Sequence, residues 1–167
     1  MILRHFFAKT LVLFAFSVFA IDVMAAEQFV VFQASSDAWQ LKCFSVGFCQ
    51  DEHSCVQLAA KNLMSDIEKV TGHKGNVTTE KMEILIGTIG VNKQIDQWVK
   101  QGELRNLKGK TEKYIIKTIG NQLVIAGSDK RGTVYGIYEL SKQLGVSPWY
   151  YWADVPVEKH TYIYKER

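Results

Sequence analysis

The stretch LVIAGSDKRGTVYGIYELSKQLGVSPWYYWADVP, residues 123–156, decides the fold of this chain. Its apolar opening predicts a strand, and Ser128 or Asp129 is suited to accept hydrogen bonds from the free amides of a helix's first turn. The helix is predicted to stop at Gly145, with Pro148 just beyond to prevent its continuation. The stretch therefore predicts a strand, a helix and an aromatic exit segment in direct succession.

Two glycines lie inside the predicted final helix. Gly132 and Gly136 are one turn apart on one face, and each costs about 1 kcal/mol relative to alanine within a helix. The simplest compensation is a close approach of the helix axis to the sheet, which a side chain at either position would prevent. The glycines therefore predict a tight contact between this helix and the sheet.

Several upstream segments have the length and apolar content of strands. Residues 28–34 and 42–47 are predicted to form an opening pair of strands, and residues 84–86 suit a strand that is buried on both faces. Residues 114–119 and 122–126 are joined by a Gly-Asn pair, the kind of two-residue connection that primed hairpin turns need. The last two strands are therefore predicted to pair antiparallel.

Two further helices are predicted between the strands. Apolar residues recur at steps of three and four before a closing Gly72: Val56, Ala59, Ala60, Leu63, Ile67 and Val70. Asp66, Glu68 and Lys69 are predicted to face away from this apolar stripe. A shorter helix is predicted at residues 91–100, ended by Gly102.

Strands interleaved with helices and a terminal hairpin indicate an α+β fold. The predicted architecture is a two-layer sandwich of a mixed β-sheet with its helices on one face, and a small doubly wound domain is the alternative. The chain has 167 residues, of which 47% are hydrophobic. A domain of roughly 140 residues buries about two thirds of its unfolded surface, so an independent core is feasible.

The N-terminal segment has the pattern of a secretory signal peptide. Arg4 and Lys9 precede a short apolar run, and the small residues Ala25 and Ala26 offer a cleavage site. A signal peptide is therefore predicted at residues 1–25, with an uncleaved anchor as the alternative. The mature chain is expected to be periplasmic or extracellular.

The charge of the chain excludes an electrostatic footprint for nucleic acid. The formal net charge is +3, and removal of Arg4, Lys9 and Asp22 with the signal segment subtracts one unit, which leaves +2. So small a charge, on scattered lysines, predicts no nucleic-acid partner. No membrane contact is expected after the signal segment is removed.

Three cysteines, Cys43, Cys49 and Cys55, would lie in an oxidising compartment where a disulfide can persist. Three thiols permit one bridge in three different pairings, so the pairing stays open. Their wide spacing, even with His53 nearby, is unlike the closely paired ligands of structural zinc sites. No metal site is predicted.

The opening stretch resembles the end of the N-terminal domain of family 115 glycoside hydrolases, the xylan α-glucuronidases. AAKNLMSDIEKVTG at residues 59–72 and EILIGTIGVNKQID at residues 83–96 are similar to earlier blocks of that domain, in the same order. SPWYYWADVP at residues 147–156 is the most specific block, and the resemblance covers about residues 57–157. The Asp-x-x-Gly start of the final helix also resembles the accessory domain that precedes the barrel in hexosaminidases, which shares the two-layer fold.

The resemblance implies a domain that precedes a catalytic barrel. The domain would occupy residues 26–157, and residues 158–167 would be the start of a linker into a barrel that is absent from this chain. In that family the two carboxyl groups that glycosidic hydrolysis needs lie on the barrel. No catalytic residue is therefore carried over, and the chain is expected to be inactive by itself.

Local patterns add no catalytic, cofactor-binding or metal-binding residue, and no cofactor is predicted. The sequence IGTIG at residues 86–90 lies where a phosphate could meet free helix amides. The full dinucleotide fingerprint and a Walker lysine are absent, so tight turning is the favoured explanation of both glycines. Asp154 is interpreted as a turn or capping residue.

Four successive aromatic residues need another explanation: Trp149, Tyr150, Tyr151 and Trp152. They cannot all face one small core, and an exposed apolar patch usually marks a contact surface. One interpretation is contact with the catalytic barrel, and the other is stacking of flat rings on the sugars of xylan or glucuronoxylan oligosaccharides. The interdomain contact is preferred.

The combined prediction is the N-terminal accessory domain of a secreted glycoside hydrolase resembling xylan α-1,2-glucuronidase. It would take part in hemicellulose breakdown by supporting the catalytic barrel of the same protein, its expected partner. The alternative, from a different class, is a stand-alone secreted carbohydrate-binding protein.

Overall fold

The structure is a computed structural model that describes residues 28–34, 38–41, 44–78, 82–153, 155–161 and 163–166. The predicted signal peptide, Cys43 and Asp154 lie outside the described residues, so the statements about them stay predictions. Within the described part of the chain, no helix is long and apolar enough to cross a membrane.

Among the described residues there are four helices and eight strands. The helices are α1 (Ser54–Thr71), α2 (Lys93–Gln101), α3 (Lys130–Gln143) and the short α4 (Tyr150–Ala153). The strands are β1 (Val30–Val31), β2 (Ala38–Leu41), β3 (Ser45–Phe48), β4 (Asn76–Val77), β5 (Ile84–Thr88), β6 (Tyr114–Ile119), β7 (Gln122–Gly127) and β8 (Ile163–Glu166).

The main sheet has five strands in the order β4-β3-β5-β7-β6. Strands β4, β3, β5 and β7 are parallel, and β6 pairs antiparallel with β7. The predicted hairpin is confirmed, because Ile119 pairs with Gln122 and Gly120 has the positive φ of 57° that a primed turn needs. Strand β5 is buried along its whole length, as its apolar run predicted.

Helices cover both faces of the main sheet. The α+β class and the mixed sheet are confirmed, and α1 and α3 pack on one face as predicted. Helix α2 differs from that prediction, because its Ile95 packs on the opposite face against Leu85, Val124 and Ala126. Since β5 and β7 are apolar on both sides, helices on one face alone would have left these side chains in water.

Helix α3 begins and packs as its sequence predicted. Asp129 is the N-cap, and its Oδ1 accepts the amide of Gly132 at 2.8 Å. A β-carbon at Gly132 would overlap the backbone carbonyl of Lys113, and one at Gly136 would lie 2.8 Å from Cγ2 of Ile125. The close approach inferred from the two glycines is therefore confirmed.

Asp129 also joins helix α3 to the segment before β6. Its Oδ2 accepts the amide of Glu112 at 2.7 Å. Hydrogen bonds from the backbone amides of Glu112 and Gly132 hold the pKa of Asp129 below its ordinary value, because they stabilise the charged form. The stabilisation that Asp129 gives to the start of α3 is therefore expected to depend on pH.

We expect the difference in stability between the wild-type protein and Asp129→Asn to shrink in acid. A carboxyl group whose pKa is lowered by folding stabilises the fold above its unfolded pKa of about 4 and loses that contribution as the pH falls through its folded pKa. Asparagine can still cap the helix but carries no charge to titrate. Urea unfolding midpoints of both proteins at neutral pH and in acid measure the effect, and a constant difference would contradict it.

A buried carboxylate fixes the loop between β3 and α1. Glu52 is only 3% exposed. Its Oε2 accepts the amide of Thr88 at 3.0 Å, and its Oε1 accepts the amide of His53 at 3.1 Å. Thr88 ends strand β5, so this carboxylate connects the start of α1 to the end of a neighbouring parallel strand.

A second sheet joins the two ends of the described chain. Its order is β1-β8-β2, with both pairings antiparallel. The predicted opening pair of strands is wrong, because β1 pairs with β8 while β3 belongs to the main sheet. Within residues 158–167, which are predicted to begin a linker, Ile163–Glu166 are a strand that pairs on both sides, and the linker assignment itself stays a prediction. Pairing between chain ends has no local sequence signal.

Candidate functional site

A cavity of about 270 Å³ lies between α1, α3 and the segment that follows α3. We call it the α1–α3 cavity. Its lining residues are Asn62, Asp66, Tyr138, Ser141, Val146, Ser147 and Pro148. It therefore combines polar side chains from two helices with an apolar wall from the exit segment.

Asp66 is the carboxylate of this cavity. It is 6% exposed, and its Oδ1 accepts a hydrogen bond from Nζ of Lys69 at 3.0 Å. The prediction that Asp66 faces away from the apolar stripe of α1 is wrong. The signal was present in the spacing, because Asp66 lies three residues after the buried Leu63 and four before the buried Val70.

Ser141 contributes a buried hydroxyl to the same cavity. The residue is 3% exposed, and its Oγ has no hydrogen-bond partner among the described residues. Buried polar atoms nearly always have a partner, so the hydroxyl of this lining residue is a candidate hydrogen-bonding group for a ligand or a water molecule. Sequence reasoning missed Ser141, because a serine next to Leu140 in a helix carries no distinctive pattern.

The rim of the cavity contains a second polar pair. Nδ2 of Asn62, on α1, donates to the hydroxyl of Tyr138, on α3, at 2.9 Å. Tyr138 is 44% exposed, so the pair lies at the cavity mouth. This hydrogen bond holds the two helices together where the cavity opens.

The aromatic segment predicted as a contact surface adjoins the cavity through Pro148. Trp149 is 66% exposed, and its amide donates to Oγ of the lining residue Ser147 at 3.1 Å. Tyr150 is half-buried, with Nζ of Lys69 4.7 Å from the centre of its ring. The side chains of Tyr151 and Trp152 lie outside what the structure describes, although their backbone belongs to α4.

Other large apolar side chains are exposed on α1 and α3. Leu58 is 60% exposed, and Tyr135 and Tyr138 are 42% and 44% exposed. Trp149 adds the largest exposed fraction among these residues. A contiguous group of such side chains marks a contact surface, and the Asn62–Tyr138 hydrogen bond brings together α1, which carries Leu58, and α3, which carries both tyrosines.

The glycine-rich turn after β5 is explained by packing. A β-carbon at Gly87 would lie 2.7 Å from Cβ of Asn92, and Gly90 has a φ of 81°. The amide of Gly90 donates to Oδ1 of Asp96 at 2.8 Å, so this donor has a partner within the chain. The interpretation as a turn residue is confirmed for Gly90 and is wrong for Gly87, which lies within strand β5 and is required by the close packing of Asn92 and Ile95.

The cysteines and possible metal ligands give no second site. Cys49 and Cys55 are free thiols, so these two do not form a bridge with each other. In the part of the chain that the structure describes, no group of three His, Cys, Asp or Glu side chains could hold a metal ion.

The α1–α3 cavity has the chemistry of a binding site. Hydrolysis of a glycosidic bond needs two carboxyl groups that flank it. The lining residues supply one carboxylate, Asp66, and it is already paired with Lys69. What remains is a set of hydrogen-bonding groups beside the apolar wall of Val146 and Pro148, which suits recognition of a polar ligand with an apolar face.

Comparisons with known proteins agree with the sequence resemblance. Residues 33–140 match the model of the family described as glycosyl hydrolase family 67 N-terminus. A solved family GH115 4-O-methyl-alpha-glucuronidase, with specificity for decorated arabinogalactans, is 34% identical with a TM-score of 0.66. That match covers 74% of this chain but 17% of the other, so this chain spans a small part of that protein's length. The comparison with curated proteins gave no match.

Two other solved structures are less similar. A GH138 enzyme targeting pectin rhamnogalacturonan II is 25% identical over 60% of this chain and 10% of its own, with a TM-score of 0.42. A chitobiase from Flavobacterium johnsoniae is 17% identical over 83% of this chain and 19% of its own, with a TM-score of 0.48. Neither TM-score is high enough to carry an argument. The family match and the GH115 structure confirm the resemblance to the N-terminal domain of glucuronidase-type glycoside hydrolases.

Proposed function

Because the chain belongs to the family described as glycosyl hydrolase family 67 N-terminus, we propose that it is a non-catalytic accessory domain of a secreted α-glucuronidase-type glycoside hydrolase. The substrate of the whole enzyme would be a polysaccharide that carries glucuronic acid, such as glucuronoxylan. The partner of this domain would be the catalytic barrel of the same protein.

The observation that carries this proposal is the family match over residues 33–140. The GH115 structure supports it, because 74% of this chain is similar to only 17% of that enzyme, which is the relation expected between one domain and a multidomain hydrolase. The single carboxylate of the α1–α3 cavity supports a role other than hydrolysis.

The exposed aromatic surface supports contact with a catalytic domain. Trp149, Tyr135 and Tyr138 are all more than two fifths exposed, at 66%, 42% and 44%. Aromatic side chains are enriched at the centre of protein interfaces, where they bury large areas when a partner covers them. We propose that this surface lies against the barrel, and that the α1–α3 cavity opens at the junction of the two domains.

The purified chain is expected to release no glucuronic acid from glucuronoxylan oligosaccharides or from decorated arabinogalactan. A coupled uronic-acid assay, with an α-glucuronidase as the positive control, measures this. Release that is retained through purification and lost in Asp66→Asn would overturn the non-catalytic role. Release that persists in that variant and in protein purified from a second host would also overturn it, whereas release that is lost on the change of host would indicate a contaminating enzyme.

Secretion is tested separately from catalysis. Expression of the full chain in a bacterium that has a periplasm is expected to give a mature protein whose first residue is Ala26 or Glu27. N-terminal sequencing of the periplasmic protein checks this. An intact Met1 on protein that stays with the membrane fraction would instead support the uncleaved anchor.

A further inference from the structure

We propose that the α1–α3 cavity is a binding subsite for one neutral pyranose residue, whose C–H face lies against the apolar wall formed by Val146 and Pro148. The choice of a saccharide rests on the proposed function. The preference for a neutral ring over a uronic acid rests on the residues of the cavity itself. It goes beyond the proposed function, because it predicts that this domain binds those sugars of the polysaccharide that carry no glucuronic acid.

The hydrogen-bonding groups of the cavity include a carboxylate and an amide oxygen that accept, and hydroxyl groups that can also donate. Oδ1 of Asp66 is bonded to Lys69, and no described residue donates to its Oδ2. Nδ2 of Asn62 is engaged with Tyr138, which leaves its Oδ1 available. The unpaired Oγ of Ser141 can both donate and accept. A ligand that fits must therefore offer several donors, as the hydroxyl groups of a sugar do.

The remaining wall of the cavity is apolar. Val146 and Pro148 line it, and Trp149 follows directly in the chain with its side chain 66% exposed. A pyranose has hydroxyl groups around its edge and C–H groups on its faces, so it needs both kinds of surface at once. Ligand sites commonly combine a few placed polar groups with aromatic and aliphatic walls.

The charges around the cavity favour a neutral ring. Asp66 would repel the carboxylate of a glucuronic acid at short range. Lys69, whose ammonium group is 3.0 Å from Oδ1 of Asp66 and 4.7 Å from the ring centre of Tyr150, reduces this repulsion, but it does not line the cavity, so the carboxylate of Asp66 is the nearer charge to a bound ring. Neutral hydroxyl groups, in contrast, donate well to a carboxylate.

The position of the cavity also suits a subsite. Tyr138, one of the exposed aromatic side chains that we propose to face the catalytic barrel, lines it, and ligand sites occur preferentially at domain interfaces. The competing occupant is a cationic side chain of that barrel, inserted next to Asp66. A sugar subsite and a pocket for a cationic side chain are expected to bind different small molecules.

The test is a titration of the purified protein with methyl β-xyloside, glucuronic acid and butylguanidinium, followed by tryptophan fluorescence and by ¹H–¹⁵N NMR. Methyl β-xyloside is expected to shift the amides of Ser141 and Trp149 saturably, with a Kd on the order of 1 mM, because a ligand of about ten heavy atoms gains little more. Glucuronic acid is expected to give no saturable shift. Saturation by butylguanidinium without a response to methyl β-xyloside would overturn the proposal in favour of a cationic partner side chain.

Substitutions of the cavity residues distinguish a role in sugar binding from a role in folding alone. Asp66→Asn is expected to weaken methyl β-xyloside binding about tenfold, since a charged acceptor becomes neutral, and to admit glucuronic acid because Lys69 loses its counter-charge. Asp96→Asn on α2, at the other face of the sheet, is the matched control and is expected to bind as the wild type does.

Ser141→Ala separates binding from folding. A buried hydroxyl without a partner costs stability, so its removal is expected to leave Tm unchanged or raised. The same substitution is expected to weaken methyl β-xyloside binding severalfold. A lower Tm together with unaltered binding would show that Ser141 serves the fold and would overturn its role in the subsite.

The outcome also distinguishes this inference from the proposed function. If no sugar binds and no uronic acid is released, the subsite is wrong while the non-catalytic accessory role stands. If the chain releases uronic acid in an Asp66-dependent manner, the accessory role is wrong whatever the sugar titration shows.

Discussion

Gly136→Leu is expected to lower the free energy of unfolding by about 3 kcal/mol or more, because it inserts a side chain where none fits. A β-carbon alone would lie 2.8 Å from Cγ2 of Ile125 and 3.1 Å from Cβ of Tyr114. The rest of a leucine would have to separate α3 from the sheet. Since small domains are stable by only about 5–15 kcal/mol, thermal unfolding should show a large fall in Tm.

A graded series tests the physical reason for this loss. Gly132→Ala is expected to cost more than Gly136→Ala, because its β-carbon would meet the backbone carbonyl of Lys113, whereas the one at Gly136 meets side-chain atoms that can adjust. Both substitutions gain about 1 kcal/mol of helix propensity, so propensity does not separate them. Tyr135→Ala, on the exposed side of α3, controls for substitution within the helix. Equal Tm values for Gly136→Leu and the wild type would refute the close-approach account.

Glu52→Ala is expected to lower the free energy of unfolding by about 2–4 kcal/mol, since it removes a buried carboxylate and leaves the buried amide of Thr88 without its acceptor. The carboxylate is 3% exposed and accepts the amides of Thr88 and His53. Urea unfolding measures the loss. Glu52→Gln keeps the size of the side chain but turns one acceptor into a donor, so it is expected to recover only part of the stability.

Glu103→Ala is the matched control for Glu52. Glu103 forms an exposed ion pair with Lys117 at 2.8 Å, and exposed pairs contribute little to stability. Its removal is expected to leave the urea midpoint close to that of the wild type. If Glu52→Ala behaves like this control, the loop between β3 and α1 is held by contacts other than the buried carboxylate.

Most elements of the main sheet and its helices follow from local sequence. Gly72 ends α1 with a φ of 73°, Gly102 ends α2 with a φ of 82°, and Asp129 caps α3. Each of these residues acts within one turn of the helix end that it caps, because only neighbouring residues take part in the capping hydrogen bonds. The hairpin between β6 and β7 is equally local, since two residues determine its turn.

Only part of the candidate site could be predicted from the sequence. The exposure of Trp149 follows from four aromatic residues in a row, which one small core cannot bury together. Asp66 was assigned to the wrong side of α1, because its chemical type suggested solvent while its helical spacing placed it in the buried stripe. Ser141 had no signal, because a serine in a helix reveals its lack of a partner only when the surrounding atoms are known.

The amino-acid sequence by itself determined the α+β class, the helix ends, the hairpin, the close helix–sheet contact at Gly132 and Gly136, and the resemblance to glucuronidase-type N-terminal domains. These features depend on residues close together in the chain or on recognisable blocks. Only the tertiary structure decided that α2 covers the second face of the sheet, that β8 pairs with β1, and that Asp66 and Ser141 share a cavity. The physical reason is that burial and pairing depend on the packing of distant segments, and no local spacing encodes which of these segments meet.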